Sequence, residues 1–501
     1  MARSISRAFA AAAAVAVLLS APATASEEPL AGLDTALETA RVQWKAPGLA
    51  VAIVKDDNVV FMKGFGSKHL GANAPVDAHT VFTLASTTKA FVALAIGILV
   101  DEGKLGWDDP VIRHIPEFRV ADPYVTSEVT IRDLLVHRTG IEAMDILWSR
   151  GFDTPTSLQH MQHASQASSL RSTWAYNNMM YVVAAEVVAR VSGVTFQEFV
   201  RTRIFEPLGM TDSLFTGSEL SKRDNVTGAH LIERGELARA EPYLSASPLG
   251  AAGIQSSVAD MAKWLRLLLN KGSVGGREII RAQTVAESLK PQMLLAKVAY
   301  PAAEQAGPHF YAYGLGWFVQ DYKGRLLAMH TGSLFGANAL VALVPEERLG
   351  LVILINAGPV EYRHAFMYDV IDRFLNRREK DWNAELLQLY ANLEEQENKA
   401  RTKALSERAA DIQPSLPLAA YAGTYANPLA GEAEIILLQD GRLLLAMRPN
   451  AVFSLSHWSH DTFEASDDRA PSERFLLTFT RGADGKVSGY DIPGGRTYKR
   501  P

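Results

Sequence analysis

The 501-residue sequence is 48% hydrophobic and 21% charged, contains no cysteine, and carries a formal net charge of -5. That composition excludes a disordered chain, a collagen and a coiled-coil fibre, and the missing cysteines exclude disulfides, thiolate metal centres, iron–sulfur clusters and a cysteine nucleophile. Mild acidity without a long basic run argues against nucleic acid as a partner, because phosphate binding needs clustered Lys and Arg.

Residues 1–25 read as an export signal. Arg3 and Arg7 precede an apolar stretch from Ala8 to Leu19, and Ala23-Thr24-Ala25 supplies the small residues after which a signal peptidase cuts. The stretch is shorter than the roughly 20 residues of a spanning helix. The expectation is a periplasmic or secreted protein cut after Ala25, with no stable membrane anchor. Beyond it, the apolar runs 48–54 and 59–62, joined by Lys55-Asp56-Asp57-Asn58, predict a hairpin. From Ser86 to Gly103 the pattern becomes helical, with Phe91, Leu94, Ala95 and Ile98 on one face, so a helix is expected to begin close to Ser86. Further helices are predicted over 131–136, 179–191, 195–203 and 258–269. Strands return at 313–320, 326–329, 339–344 and 349–355. An N-terminal hairpin, a helical middle and late strands predict one α+β domain whose antiparallel sheet joins both ends of the segment.

After Phe374 the texture changes. Residues 376–410 mix charges densely, with Leu386, Tyr390 and Leu393 on one face, as in a solvated connecting helix. Gln413-Pro414-Ser415-Leu416-Pro417 reads as a linker, and the last 84 residues read as a small β-meander or barrel. The expected division is a signal peptide at 1–25, a main domain at 26–378, a helix and linker at 379–417, and a barrel at 418–501.

Chemistry concentrates in three places. Ser86-Thr87-Thr88-Lys89 is the sole Ser-x-x-Lys, at the junction of the strand-like 81–84 with the helix. Residues three apart on a helix share a face, so the Lys89 amine would sit beside the Ser86 hydroxyl, which needs a base to act as a nucleophile. By itself the tetrapeptide fits equally a helix-capping serine followed by an exposed lysine. Tyr176-Asn177-Asn178 precedes the 179–191 helix. A tyrosine serves as general base only where a cation such as Lys89 favours its phenolate; otherwise this is a buried tyrosine at a helix start. His330-Thr331-Gly332-Ser333 follows the 326–329 strand. Its glycine would let a substrate backbone approach, and the next N–H could complete an oxyanion hole with the N–H of Ser86. A surface histidine at a strand end is the plain alternative. His137-Arg138-Thr139-Gly140 reads as a helix stop and turn.

The three motifs occur in that order at separations of 90 and 154 residues. Over about residues 30–375 the chain resembles the class C β-lactamase-like branch of the penicillin-binding-protein and serine β-lactamase superfamily, which includes D-aminopeptidases and esterases. Flanking phrases carry the resemblance further: Thr130-Ile131-Arg132-Asp133-Leu134-Leu135, Pro207-Leu208-Gly209-Met210, Gly250-Ala251-Ala252-Gly253-Ile254 and Tyr313-Gly314-Leu315-Gly316-Trp317. The C-terminal segment, with Tyr421-Ala422-Gly423-Thr424-Tyr425, resembles the lipocalin-like barrel of some of these hydrolases, where it shapes the site or assembles a homo-oligomer.

The resemblance implies a β-lactamase/transpeptidase-like fold and an acyl-enzyme mechanism. Ser86 would attack an acyl carbonyl, Lys89 and Tyr176 would share the proton transfers, and Asn178 would hold the substrate amide. His330, Thr331 and Gly332 would line the substrate, and the backbone N–H groups of Ser86 and Ser333 would hold the oxyanion. No metal or other cofactor is required. β-Lactamases and D,D-carboxypeptidases usually carry lysine where His330 stands, and a histidine is mostly neutral at pH 7. The implied substrate is therefore a peptide, amide or ester without a carboxylate at that position, with a D-aminopeptidase-like activity favoured. A β-lactamase, a D,D-carboxypeptidase or a slowly turning-over penicillin-binding protein is the alternative.

Overall fold

The computed structural model describes residues 28–500, apart from 216, 218, 234, 241–248, 409–411, 448–450 and 468–469. The export signal read at residues 1–25 lies outside the described residues.

The main domain is built on an eight-stranded antiparallel sheet. Its strands are β1 (Gly48–Lys55), β2 (Asn58–Gly66), β3 (Met293–Leu294), β4 (Tyr311–Tyr313), β5 (Phe318–Tyr322), β6 (Arg325–Leu334), β7 (Ala337–Val344) and β8 (Leu349–Ile355). The spatial order is β3-β4-β5-β6-β7-β8-β1-β2, so the N-terminal hairpin docks on the last strand of the domain, as the α+β reading expects. The hairpin turns tightly because Asp56 and Asp57 both adopt left-handed backbone, with φ of 49° and 67°.

Strand β1 reads as a continuous apolar run rather than an alternating one because both faces of the sheet are covered. Successive side chains point to opposite faces. Leu49, Val51 and Ile53 join an apolar cluster with Leu37, Trp44 and Phe366, supplied by α1 (Leu33–Gln43) and α5 (Tyr362–Leu375). Ala50, Ala52 and Val54 join a second cluster with Phe91 and Trp264, from α2 (Thr88–Asp101) and α4 (Val258–Leu269). There the ring of Phe91 stacks on Trp264 at 4.3 Å, and Trp264 stacks on Trp317. The helix predicted over 179–191 is α3 (Asn178–Ser192), packed in the same cluster.

Two strand boundaries differ from the pattern-based expectation. The single strand read over 313–320 is broken into β4 and β5 by residues 314–317, where Gly316 adopts φ +81°. A Cβ on Gly316 would lie 2.9 Å from the Lys89 carbonyl oxygen, so the turn packs directly on the first turn of α2. Strand β6 continues five residues past Met329, so His330, Thr331, Gly332 and Ser333 lie inside the strand rather than after it.

The connecting helix is α6 (Trp382–Glu407). Trp382 and Leu386 are buried and Tyr390 packs beside them on the α1 and α5 side, whereas the second half is exposed. Beyond it, strands β9 (Gly423–Asn427), β10 (Gly431–Leu437), β11 (Leu443–Met447), β12 (Ala451–Ser459), β13 (Thr462–Asp467), β14 (Ala470–Arg481), β15 (Val487–Ile492) and β16 (Arg496–Lys499) close in sequence order into an eight-stranded barrel. Tyr421, Tyr425, Phe463, Phe479 and Tyr490 fill it. Among the described residues no single helix is long and apolar enough to cross a membrane.

One buried ion-pair cluster braces the helical half. Thr130 and Asp133 form a reciprocal capping box at the start of the helix Ile131–Leu135. The fully buried Asp133 carboxylate also receives Arg138 Nε at 2.5 Å and Arg171 Nη2 at 2.8 Å. Burial pushes the Asp133 carboxyl upward, but bonds from Arg171 and Arg138 outweigh it and hold the group below its ordinary value. Removing the carboxylate takes an acceptor from two guanidinium groups and from the Thr130 backbone N–H. Asp133→Ala is therefore expected to lower stability by about 3 kcal/mol, measured by chemical denaturation. A loss below about 0.5 kcal/mol, the range of an exposed pair, would contradict this account.

Candidate active site

Ser86 lies in a single 3₁₀ turn, Ala85–Thr87, immediately ahead of α2. The turn is fed by Phe82–Thr83, which pairs with Ile254–Ser256, and Leu84 N–H donates to the Ile254 carbonyl. Ala85 is held with φ +47°, a left-handed conformation that is strained for a residue with a side chain. Ser86 is partly exposed and makes no capping bond to the helix, while Lys89 is completely buried. The alternative of a capping serine with an exposed lysine therefore fails on both counts.

Lys89 Nζ lies 3.0 Å from Ser86 Oγ, 2.7 Å from Asn178 Oδ1 and 2.9 Å from the carbonyl oxygen of Ala251. The Tyr176 hydroxyl lies 2.9 Å from Ser86 Oγ. Two of the lysine's three partners can only accept, and the third, a hydroxyl, can either accept or donate. A neutral amine satisfies this set completely: it donates to Asn178 and Ala251 and receives the Ser86 proton on its lone pair. Burial pulls the Lys89 ammonium down to about 7, against an opposing pull from the Asp145 carboxylate, so the neutral form is well populated at neutral pH. Tyr176 behaves oppositely. Burial pushes its hydroxyl well above its ordinary value, a rise only partly offset by the bond to Ser86. The phenolate base considered from sequence thus gives way to a protonated tyrosine beside a lysine whose neutral form is well populated.

Asn177 caps α3, its side chain accepting from Met179 N–H, and this orients its neighbours. Asn178 spends both ends of its amide inside the protein, Oδ1 on Lys89 and Nδ2 on Asp145 Oδ1 at 3.1 Å. Its observed contact is with the lysine, not with an open substrate position.

Strand β6 brings the third motif against the serine turn. A Cβ on Gly332 would lie 2.1 Å from the Leu84 carbonyl oxygen and 3.2 Å from Ala85 Cβ. The glycine is needed for close approach, as the sequence suggested, but the backbone that approaches is the chain's own. This contact sets Ser333 beside the turn that carries Ser86. His330 is 1% exposed, with Nδ1–H donating to the Thr331 carbonyl and Nε2 accepting from the Tyr313 hydroxyl at 2.8 Å. Burial, with Lys89 nearby, lowers its pKa to about 3. His330 is thus a buried, neutral strut inside the sheet, where the sequence suggested a residue lining the substrate or a surface histidine at a strand end. The Thr331 hydroxyl meets the Tyr300 hydroxyl at 2.6 Å.

Several contributors escaped the motif reading. Arg363, on α5, donates to the Gly332 carbonyl and to Ser333 Oγ, and it pairs with Glu361 while only 3% of its side chain is exposed. His137, read as part of a turn, is fully buried with φ +55°, and its ring centroid lies 4.4 Å from that of Tyr176. Its Nδ1 accepts from Asn177 N–H, and burial lowers its pKa well below the ordinary value. Asp145, which holds Asn178, sits in a stretch that offered no pattern at all. The clue to His137 was the capped helix 131–135 directly before it.

Comparison with known proteins agrees with this geometry. The beta-lactamase family profile matches residues 33–372, and a domain of unknown function, DUF3471, matches residues 407–498. The unguisins hydrolase ungD of Aspergillus violaceofuscus is 29% identical over 466 residues, covering 84% of this chain and 80% of the relative. The protein flp of Staphylococcus aureus is 24% identical over 363 residues, covering 72% of this chain and 69% of the relative. Among solved structures, the octameric penicillin-binding protein homologue from Pyrococcus abyssi superposes with a TM-score of 0.61 at 23% identity, covering 94% of this chain and 100% of that one. The penicillin binding protein from Bacillus halodurans gives a TM-score of 0.54 at 23% identity, over 68% of this chain and 98% of that one. With its sheet, its serine turn and a match spanning residues 33–372, this chain belongs to the beta-lactamase family.

Proposed function

We propose that this chain is an exported serine hydrolase that acts through an acyl-enzyme on Ser86, cleaving peptide, amide or ester substrates, with a D-aminopeptidase-like activity favoured and ester hydrolysis beside it. The observation that carries the reading is the continuous hydrogen-bond chain from the Tyr176 hydroxyl to Ser86 Oγ to Lys89 Nζ. Lys89 takes the Ser86 proton as Oγ bonds to the acyl carbon. The Tyr176 hydroxyl delivers a proton to the departing nitrogen or oxygen and is refilled from Lys89. The backbone N–H groups of Ser86 and Ser333 hold the oxyanion, and water releases the acyl group by the reverse proton transfers. Hydrolase-named relatives support the reaction class. The export reading rests on residues 1–25, and we read the closed eight-stranded barrel as lipocalin-like.

Charge supports the substrate preference. His330 is neutral, and the nearby Arg363 is neutralised by Glu361, so neither offers a free cation to a substrate carboxylate.

Ser86→Ala is expected to abolish turnover and labelling by a fluorophosphonate or penicillin probe, read by intact-protein mass spectrometry; labelling retained in the variant would remove Ser86 as nucleophile. A panel of D- and L-aminoacyl anilides, short-chain esters and a chromogenic cephalosporin then sorts the activities. A stoichiometric burst without steady turnover would instead identify a penicillin-binding protein.

Acylation also carries a pH signature. Because Lys89 must be neutral to accept the proton, kcat/KM should rise with pH and reach half its plateau near the lysine's pKa of about 7. Lys89→Arg, which cannot deprotonate, should lower the plateau by roughly 100-fold or more. A profile flat from pH 5 to 9 would exclude the lysine as base.

A further inference from the structure

Between the serine site and the barrel lies a segment outside the three motifs, anchored in the core by Met144 and Leu147. Asp145 begins the short helix Asp145–Ser149, and its Oδ1 accepts from Asn178 Nδ2 at 3.1 Å and from Trp148 Nε1 at 2.8 Å. The consequence for Asn178 is chemical. A carboxamide can turn over and exchange its oxygen and nitrogen at little cost unless its neighbours distinguish them. A carboxylate accepts only, so it selects the NH₂ end of Asn178 and leaves the oxygen end for Lys89, 2.7 Å away. Turned over, the amide would set its own donors against the lysine amine.

The barrel grips the stretch on which Asp145 sits. Arg496 of β16 donates to the Ala143 carbonyl and lies 3.7 Å from Glu142. Ile146, the residue after Asp145, packs against the barrel's apolar cluster. His160 Nδ1 donates to the Pro428 carbonyl at 3.2 Å, and a Cβ on Gly431 would lie 3.4 Å from Phe152. From the other side, Asn177 Nδ2 donates to the Glu142 carbonyl at 2.9 Å. The segment is thus clamped between the residue that follows Tyr176 and the last strand of the barrel.

We infer that Asp145 is a positioning residue for the lysine base, fixing the orientation of Asn178, and that the C-terminal barrel holds Asp145 in place through Arg496. The inference rests on the Ser86 acyl-enzyme reading above. Electrostatics gives it a distinctive readout. Lys89 is faced by Ser86 on its own turn, by the rings of Tyr176 and Tyr181 at 4.9 and 5.5 Å, by the neutral imidazoles of His137 and His330, and by Asp145. Among the described residues Asp145 is the carboxylate that acts on it, favouring the ammonium. Removing that negative charge lowers the lysine pKa, so the acidic limb of the rate profile moves to lower pH.

The experiment compares four full-length proteins: wild type, Asp145→Asn, Arg496→Gln and the double variant. Each is followed by the pH dependence of fluorophosphonate labelling at Ser86 and by kcat and KM on the best substrate of the panel. Asp145→Asn should shift the acidic limb down by about half a pH unit or more and lower kcat with less effect on KM. Arg496→Gln should shift the limb in the same direction and lower kcat, and the double variant should add little to Asp145→Asn, because both act through one element. Should Arg496→Gln fail to fold, Glu142→Gln weakens the same Arg496 contact from the segment's end and takes its place. An unshifted limb in Asp145→Asn overturns the positioning role; wild-type kcat and limb in the clamp variant, or full additivity, overturns the barrel link. Absence of Ser86 labelling in the wild type instead removes the parent reading, and this inference with it.

Discussion

An amine buried without solvent is the constraint around which the rest of the site is arranged. Lys89 has no exposed surface, and an ammonium in that position is costly unless every proton finds an acceptor. The fold supplies two obligate acceptors, the Ala251 carbonyl and Asn178 Oδ1, and one hydroxyl that can be either partner. Had a carboxylate stood where Ser86 stands, the lysine would remain charged and inert as a base. Because a serine stands there, burial draws the amine down to about 7, where its neutral form is populated and can accept a proton. Stability and reactivity are met by the same three contacts.

The same constraint explains the phrases that surround the motifs. Gly250-Ala251-Ala252-Gly253-Ile254 provides the Ala251 carbonyl and, through Ile254, the backbone partner of Leu84. Tyr313-Gly314-Leu315-Gly316-Trp317 places a hydroxyl on His330, a glycine against the Lys89 carbonyl and an indole on Trp264. Thr130 to Leu135 form the capped helix whose buried Asp133 steadies the His137 turn. The first phrase meets the lysine nitrogen directly, and the other two brace residues packed around it.

Ser86, Lys89, Tyr176 and Asn178 were legible in the sequence because their spacing is local or because a helix start marks them, and the structure brings all four into hydrogen-bonding range. The antiparallel sheet joining both ends of the domain was legible as well, from the N-terminal hairpin and the late strands, whereas the cover on both its faces came only with the packing of the helices. Asp145, His137 and Arg363 were not. Their partners lie 33, 40 and 31 residues away, and no periodicity records a contact made by packing. His330 misled for a related reason: its motif sets its strand position, but the Tyr313 hydroxyl and the length of β6 decide that it faces inward. Gly332 shows the converse case, where the need for a small residue was plain and the approaching backbone was not.

The order of strands has a bearing on how this chain comes to be folded. β1 pairs with β8, so Leu49 faces Ile355 across a gap of more than three hundred residues. Until the last strand of the domain is present, the N-terminal hairpin has no neighbour on its inner edge, and neither apolar face can be sealed. Contacts between such distant residues form slowly, because the intervening chain must first be drawn together. An emerging chain therefore holds an open, apolar strand edge for most of its synthesis. On the acyl-enzyme reading proposed above, Ser86 gains Ser333 as its oxyanion partner only after β6 has been made and docked against the serine turn.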